Sequence, residues 1–316
     1  MGHVMEQYKN ILAVIDPSTE NQKALKRAIE LAAKTQSSIT AFLSIFDFSY
    51  EMTTMLSSDE REVMRQSVIE DRQQWLNDII DDLPHHGINI NHKVVWHNRP
   101  FEAIIERIIS KKHDIMIKGT HQHDKFKSVI FTPTDWHLLR KCPCPVLLVK
   151  EHSWPENGNI LAALNIGSDE SEHQSLNNKI TDTANSFAEL LNGRVNLVNS
   201  YPGTPVNIAI EIPEFDSSQY NDSMLKHHQQ AMLEHAQRFG IATDNTFVNE
   251  GLPEIVIERV SNELDAELVI LGTIGRTGIS AALIGNTAEH VIDRLNCDVL
   301  AIKPAGYRSP FENDLV

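Results

Sequence analysis

The chain of 316 residues has little cysteine, few aromatic residues and a deficit of positive charge. Its three cysteines, Cys142, Cys144 and Cys297, show no disulfide-framework spacing, and no basic-then-apolar secretion signal begins the chain. Acidic residues outnumber basic ones by 43 to 28, so the net charge is −15 and binding to nucleic acid is disfavoured. No apolar run reaches the roughly 18 residues that span a membrane. We therefore expect a cytoplasmic protein without membrane insertion or direct nucleic-acid binding.

Several motifs of phosphate and acyl chemistry are missing as well. The sequence contains no G-x-x-x-x-G-K-[ST] loop, no G-x-G-x-x-G after its first predicted strand and no G-x-S-x-G elbow. These absences argue against a lysine-dependent NTPase and against a serine hydrolase.

The sequence does contain an internal repeat, in which one unit occurs twice. An alignment without gaps pairs Gly119 with Gly272 and His137 with His290. A repeat of this length indicates two copies of one fold, and the proline and glycine between them indicate a linker. We predict a first domain, a linker, a second domain and a tail at residues 6–150, 151–158, 159–305 and 306–316.

Each half alternates short apolar runs with segments of helical periodicity. Such alternation is typical of βαβ units and predicts an α/β fold in which each half has a five-stranded, mostly parallel sheet with helices on both faces. In these sheets, ligands bind beyond the carboxyl ends of the strands, where the winding direction reverses. The predicted strands of the first half are residues 10–15, 39–46, 90–96, 115–118 and 146–149.

Four glycines, among them Gly272, Gly275 and Gly285, lie between the fourth predicted strand of the second half and the next helix. Glycine lets backbone amides approach an anion, and the free N–H groups at a helix start favour phosphate. The segment is therefore a candidate phosphate-binding loop. The same glycines could instead form no more than a tight turn, with Asn286 or Thr287 as the N-cap of the helix.

The glycine spacing, with a strand before it and a helix after it, resembles the ATP-binding signature of the universal stress protein family. With the repeat, nearly the whole chain is similar to tandem-domain members of that family. The resemblance implies two adenine nucleotide α-hydrolase-like domains packed as an internal pseudo-dimer. It also implies a stress-response role and ATP or a related nucleotide at the second-half glycines, where Asn286 replaces the usual serine or threonine.

The resemblance further implies an aspartate at the end of the first strand, in contact with adenine. Asp16 matches this position in the first half, whereas Asn165 stands there in the second half and still offers a hydrogen bond. Arg276 could neutralise a phosphate or could equally be solvated in its loop.

The first half departs from the signature. Gln122 and Thr132 stand where the second half has Gly275 and Gly285, and Pro133 removes an amide donor from the helix start. Added side chains and a lost donor both oppose phosphate binding. We therefore expect the first copy to have lost the ability to bind ATP.

Two histidines, His121 and His123, lie with Asp124 in this altered loop. Imidazoles two residues apart, with a carboxylate, can supply part of a zinc site. A chain with 15 histidines also produces such groups by chance, so both interpretations stay open.

Three functions are compatible with the sequence. We favour a protein that binds an adenine nucleotide and acts on an unidentified protein partner without being an enzyme, because no base, nucleophile or lysine accompanies the loop. A slow ATP hydrolase using Arg276 and nucleotide-bound magnesium is the second. The third is a nucleotide-free scaffold for zinc or for an amphipathic small molecule, since the connections 46–56 and 206–212 are unusually apolar. We expect a monomer with an internal pseudo-dimer or a homodimer of it.

Overall fold

A computed structural model describes residues 8–52, 56–85, 87–122, 129–130, 132–150, 154–204, 216–273 and 286–312. The chain divides into two compact units. The first comprises Met1–His121, Phe131–Glu151 and Arg308–Val316, and the second comprises Gln122–Ile130 and His152–Tyr307. None of the helices in these ranges is long and apolar enough to cross a membrane.

Five parallel strands form the sheet of the first unit. They are β1 (Asn10–Val14), β2 (Ser38–Ile45), β3 (Ile90–Trp96), β4 (Ile115–Gly119) and β7 (Val146–Val149). Two-residue strands, β5 (His121–Gln122) and β6 (Val129–Ile130), lie between β4 and β7 in the chain. Across the sheet the order is β7, β4, β1, β2, β3. The predicted five-stranded parallel sheet is thereby confirmed.

The helices of the first unit follow local sequence signals. The longest begins at a capping box between Ser57 and Glu60, and the next has Pro100 in its first turn. Alternating strands and helices place helices on the faces of the sheet and leave the strand ends open. In chain order the helices are α1 (Lys23–Thr35), α2 (Phe48–Glu51), α3 (Ser58–Asp82), α4 (Pro100–Lys111) and α5 (Pro133–Lys141).

The second unit repeats this topology. Its parallel strands are β8 (Asn159–Ala163), β9 (Arg194–Tyr201), β10 (Thr246–Glu250), β11 (Ala266–Gly272) and β12 (Asp298–Ile302). Their order is β12, β11, β8, β9, β10. Its helices are α6 (Ser171–Leu191), α7 (Ser217–Arg238), α8 (Pro253–Glu263) and α9 (Asn286–Arg294). The internal pseudo-dimer of the two copies stays a prediction.

In each unit the first strand is the central strand of the sheet, with two strands on either side. The chain winds from β1 to β2 and β3 on one side, then returns to β4 and β7 on the other. The winding therefore reverses between β1 and β4, and by the same order between β8 and β11. This topology places the ends of these four strands at the positions where α/β sheets bind ligands.

Candidate ligand site

The reversal point of the first unit is a cavity of about 230 Å³. Its apolar wall consists of Val14 and Ile15 at the end of β1 and of Pro100 and Ile104 in the first turns of α4. Gly119, at the end of β4, also lines it. The ends of β1 and β4, between which the winding reverses, therefore meet around one cavity in this unit.

Polar groups line the rest of this cavity. Asp16 follows β1, Ser44 lies near the end of β2, and Thr132 and Thr134 lie at the start of α5. The duplicated alignment pairs Asp16 with Asn165, Gly119 with Gly272, Thr132 with Gly285 and Thr134 with Thr287. The cavity is thus the first-unit counterpart of the ligand site predicted for the second unit.

A buried ion pair joins Lys118, which lines the cavity, to Asp135 in the first turn of α5. Lys118 Nζ lies 2.7 Å from Asp135 Oδ1, with only 12% of the lysine side chain and none of the aspartate side chain exposed. Asp135 Oδ2 accepts hydrogen bonds from the Thr132 N–H at 2.7 Å and from the Thr132 hydroxyl at 2.9 Å. A helix start attracts anions, and here that anion is a carboxylate of the chain itself.

A buried amide fixes the loop that carries Asp16. The Asp16 N–H donates to Gln22 Oε1 at 2.9 Å, and Gln22 Nε2 donates to the Asp16 carbonyl at 2.7 Å. Asp16 Oδ1 accepts from the N–H and the hydroxyl of Ser18, and the second of these hydrogen bonds is 2.6 Å long. The backbone of Asp16 is therefore held by the side chain of Gln22.

In the second unit, the loop after β8 is held by the same pair of hydrogen bonds from a side-chain amide. The Asn165 N–H donates to Asn177 Oδ1 at 3.0 Å, and Asn177 Nδ2 donates to the Asn165 carbonyl at 2.9 Å. The Asn165 side-chain amide lies 3.2 Å from His173 Nδ1. Sequence reasoning missed Gln22 and Asn177; the only available signal was an amide near the start of the helix that follows each first strand.

Gly272 ends β11, the strand beside β8. A Cβ atom there would overlap the side chain of Leu176 on α6, so the lack of a side chain also serves close packing of strand against helix. An added Cβ at Gly119 would lie 3.0 Å from Cγ of the flexible Lys23 side chain, a milder contact. Glycine at position 272 therefore has a packing role, whatever ligand the site takes.

Several predicted residues cannot be placed. Gly275, Arg276 and Gly285 lie outside the described residues, whereas Asn286 and Thr287 begin α9. In the duplicated alignment, Ala288 and Leu271 stand where the first copy has Asp135 and Lys118. The second copy therefore lacks the buried ion pair of the first.

The zinc and apolar-ligand hypotheses stay predictions. His121 belongs to β5 and His123 lies outside the described residues. Across the part of the chain that the structure describes, no group of three or more His, Cys, Asp or Glu side chains could hold a metal ion. Of the apolar connections, 206–212 is not described, whereas Phe48 and Met52 are more than 60% exposed.

Sequence reasoning also missed a polar groove of about 740 Å³ between α6 and α7. Amide and charged side chains line it, among them Gln174, Lys226 and Arg238. Arg238 Nη2 donates to Asn178 Oδ1 at 2.7 Å across the two helices. Because these residues come from two helices that are far apart in the sequence, no local residue spacing could indicate the groove.

The duplicated α/β topology with a cavity at the winding reversal agrees with comparisons to known proteins. A model of the universal stress protein family matches residues 7–150 and 157–303. The chain belongs to the universal stress protein family. It is 53% identical over 311 residues to universal stress protein E of Escherichia coli K12, with 98% of each chain covered. A homolog from Haemophilus influenzae is 45% identical over 304 residues, covering 95% of this chain and 98% of the relative.

Solved structures support the same assignment. A crystal structure of a protein of unknown function from Pseudomonas aeruginosa PAO1 is 29% identical, has a TM-score of 0.74 and covers 95% of this chain and 94% of its own. A universal stress protein structure from P. aeruginosa UCBPP-PA14 is 30% identical, has a TM-score of 0.73 and covers 95% of each chain. The predicted family, its tandem form and the fold class are confirmed.

Proposed function

We propose that the protein acts in the cytoplasmic stress response by binding ATP or a related adenine nucleotide in its second unit and then contacting a protein partner. The observation that carries the proposal is the difference between the two copies at the start of the last helix. The first copy places Asp135 and Lys118 there, whereas the second has Ala288 and Leu271 at the matched positions. A helix start without that internal carboxylate suits phosphate better.

The residues of the second unit fit an adenine nucleotide. Asn165 follows β8 and presents an amide that can both donate and accept hydrogen bonds, as adenine requires. Backbone amides of the segment from Gly272 to Gly285, with Asn286 and Thr287, would hold the phosphates, and Arg276 would add a positive charge. Magnesium bound with the nucleotide would offset the charge of the phosphates.

Calorimetric titration of the full chain with ATP tests the proposal. Wild type should bind one ATP, and Gly275→Gln, which installs the residue of the first copy, should weaken binding by about tenfold or more. Gln122→Gly is the matched control in the first copy and should leave ATP binding unchanged. Wild type that does not bind, or a G275Q variant that binds equally well, would contradict the proposal. Phosphate release with magnesium, measured on the same samples, separates a nucleotide binder from a slow hydrolase.

A further inference from the structure

We propose that the cavity of the first unit binds an uncharged ligand of nucleobase to nucleoside size, and that Asp135 excludes phosphate from this cavity. This site is separate from the nucleotide site proposed for the second unit. The shape of the cavity, the ion pair beside it and the divergence of the two copies support this assignment.

The size and lining of the cavity define the ligand class. Its volume of about 230 Å³ exceeds the ~150 Å³ cavity that accommodates benzene and lies below the ~300 Å³ at which larger ligand pockets begin. Ile104 and Pro100 face it from α4, and Val14 faces it from β1, so a flat apolar ring suits it. Asp16 and Thr134 supply an acceptor and a hydroxyl for ligand N–H and O–H groups.

The place where a phosphate would lie at the start of α5 is already filled. Asp135 accepts two hydrogen bonds from Thr132 and pairs with Lys118. An incoming phosphate would have to displace a fully buried carboxylate and leave its charge without a partner. Asp16, which lines the cavity, adds to the repulsion of a phosphate. A ligand without negative charge meets neither obstacle.

The second copy supports this assignment. At the matched positions it has Leu271 and Ala288, so it lacks the lysine and the carboxylate together. Either charge alone would be buried without its partner, which is costly, so the two residues are expected to be gained or lost as a pair. The first copy has both charged residues and the second has neither, which is the difference expected if the two charges act as a pair at the helix start.

Methyl NMR on the full chain gives a readout specific to this cavity. Signals of Ile104 and Val14 report on it, and adenosine and AMP serve as probes that differ by one phosphate. Adenosine should shift these signals saturably, whereas AMP should require about tenfold or more higher concentration. Repeating both titrations in the Gly275→Gln chain shows whether the result is independent of the second unit. Equal affinity for the two probes, or no response to adenosine, would overturn the proposal even if ATP binds the second unit.

Variants then test the role of Asp135. Asp135→Asn keeps the shape of the side chain but releases Lys118 for a phosphate, so the preference for adenosine over AMP should fall from about tenfold to near one. Glu106→Gln, which removes an exposed charge on α4, is the control and should keep the preference. Lys118→Met retains the Asp135 carboxylate, so AMP should still bind more weakly than adenosine. An unchanged preference in D135N would refute Asp135 as the determinant; if D135N does not fold, the wild-type probe ratio and K118M decide.

Discussion

His235 shows how one buried side chain makes stability depend on pH. It is 4% exposed, and its Nε2 lies 2.8 Å from the hydroxyl of Thr181. That hydroxyl already donates to the Asn177 carbonyl, so it accepts from a protonated Nε2. Arg238 Nη2 lies 3.1 Å from Nδ1, which is therefore the acceptor. Burial, followed by the charge of Arg238, lowers the pKa of His235 from 6.5 to about 4.

This pKa predicts a loss of stability in acid. The unfolded chain takes up the proton near pH 6.5 and the folded chain only near pH 4, so the stabilisation is complete above pH 6.5 and is lost as the pH falls. Between pH 6.5 and 5 the loss should be on the order of 2 kcal/mol. Urea denaturation at pH 7 and pH 5 measures it, and His235→Gln should show a smaller difference than wild type. The exposed His227→Gln serves as control; equal pH dependence in H235Q and wild type would refute the assignment.

Helices and strands were predictable where the local signal was strong. Strand β3 spans the predicted residues 90–96, and α4 begins at Pro100, a residue favoured in the first turn of a helix. The four-residue α2 was not predicted, because one turn is too short to show a helical period. Asp16, which the family resemblance placed at the end of the first strand, lines the cavity at the winding reversal. Sequence reasoning could not predict the pair of Lys118 and Asp135, since that contact depends on how β4 and α5 pack.

The short turn Pro310–Glu312 near the end of the chain belongs to the first unit. Phe311 lies 6.3 Å from Phe101 between ring centroids, and Lys141 Nζ lies within 5.5 Å of both rings. The hydroxyl of Ser309 donates to the Lys141 carbonyl at 2.7 Å. These contacts tie the end of the chain to α4 and α5, far from it in sequence.

Phe311→Ala should therefore lower the free energy of unfolding by about 1 kcal/mol, because it removes an edge-to-face ring contact and a cation–π contact. Denaturant unfolding at neutral pH measures the change. Phe48→Ala is the matched control, since that ring is 63% exposed and its loss should change stability by less than about 0.5 kcal/mol. If F311A proves as mild as F48A, the turn does not stabilise the first unit.

Across the whole molecule, one topology is used twice with different chemistry at the same position. Both copies bring the ends of their first and fourth strands together and hold the loop after the first strand with a buried amide. They differ at the start of the last helix, where the first copy buries the pair of Lys118 and Asp135. In the first unit these strand ends line a cavity, and in our proposals the side chains at the helix start determine which ligand each copy accepts.

If the side chains at the helix start determine the ligand, then substituting them should transfer the ligand preference of the first unit to the second unit. Leu271→Lys together with Ala288→Asp should install the buried pair in the second unit and abolish its ATP binding, because the new carboxylate would take the place of a phosphate. The control is Leu271→Met with Ala288→Asn, which changes the same sites without adding charge and should retain at least part of the binding. Both positions are buried, at 4% and 8% exposure, so thermal unfolding must show that each variant folds. A folded charged variant that binds ATP as tightly as wild type would show that the helix start does not control the ligand.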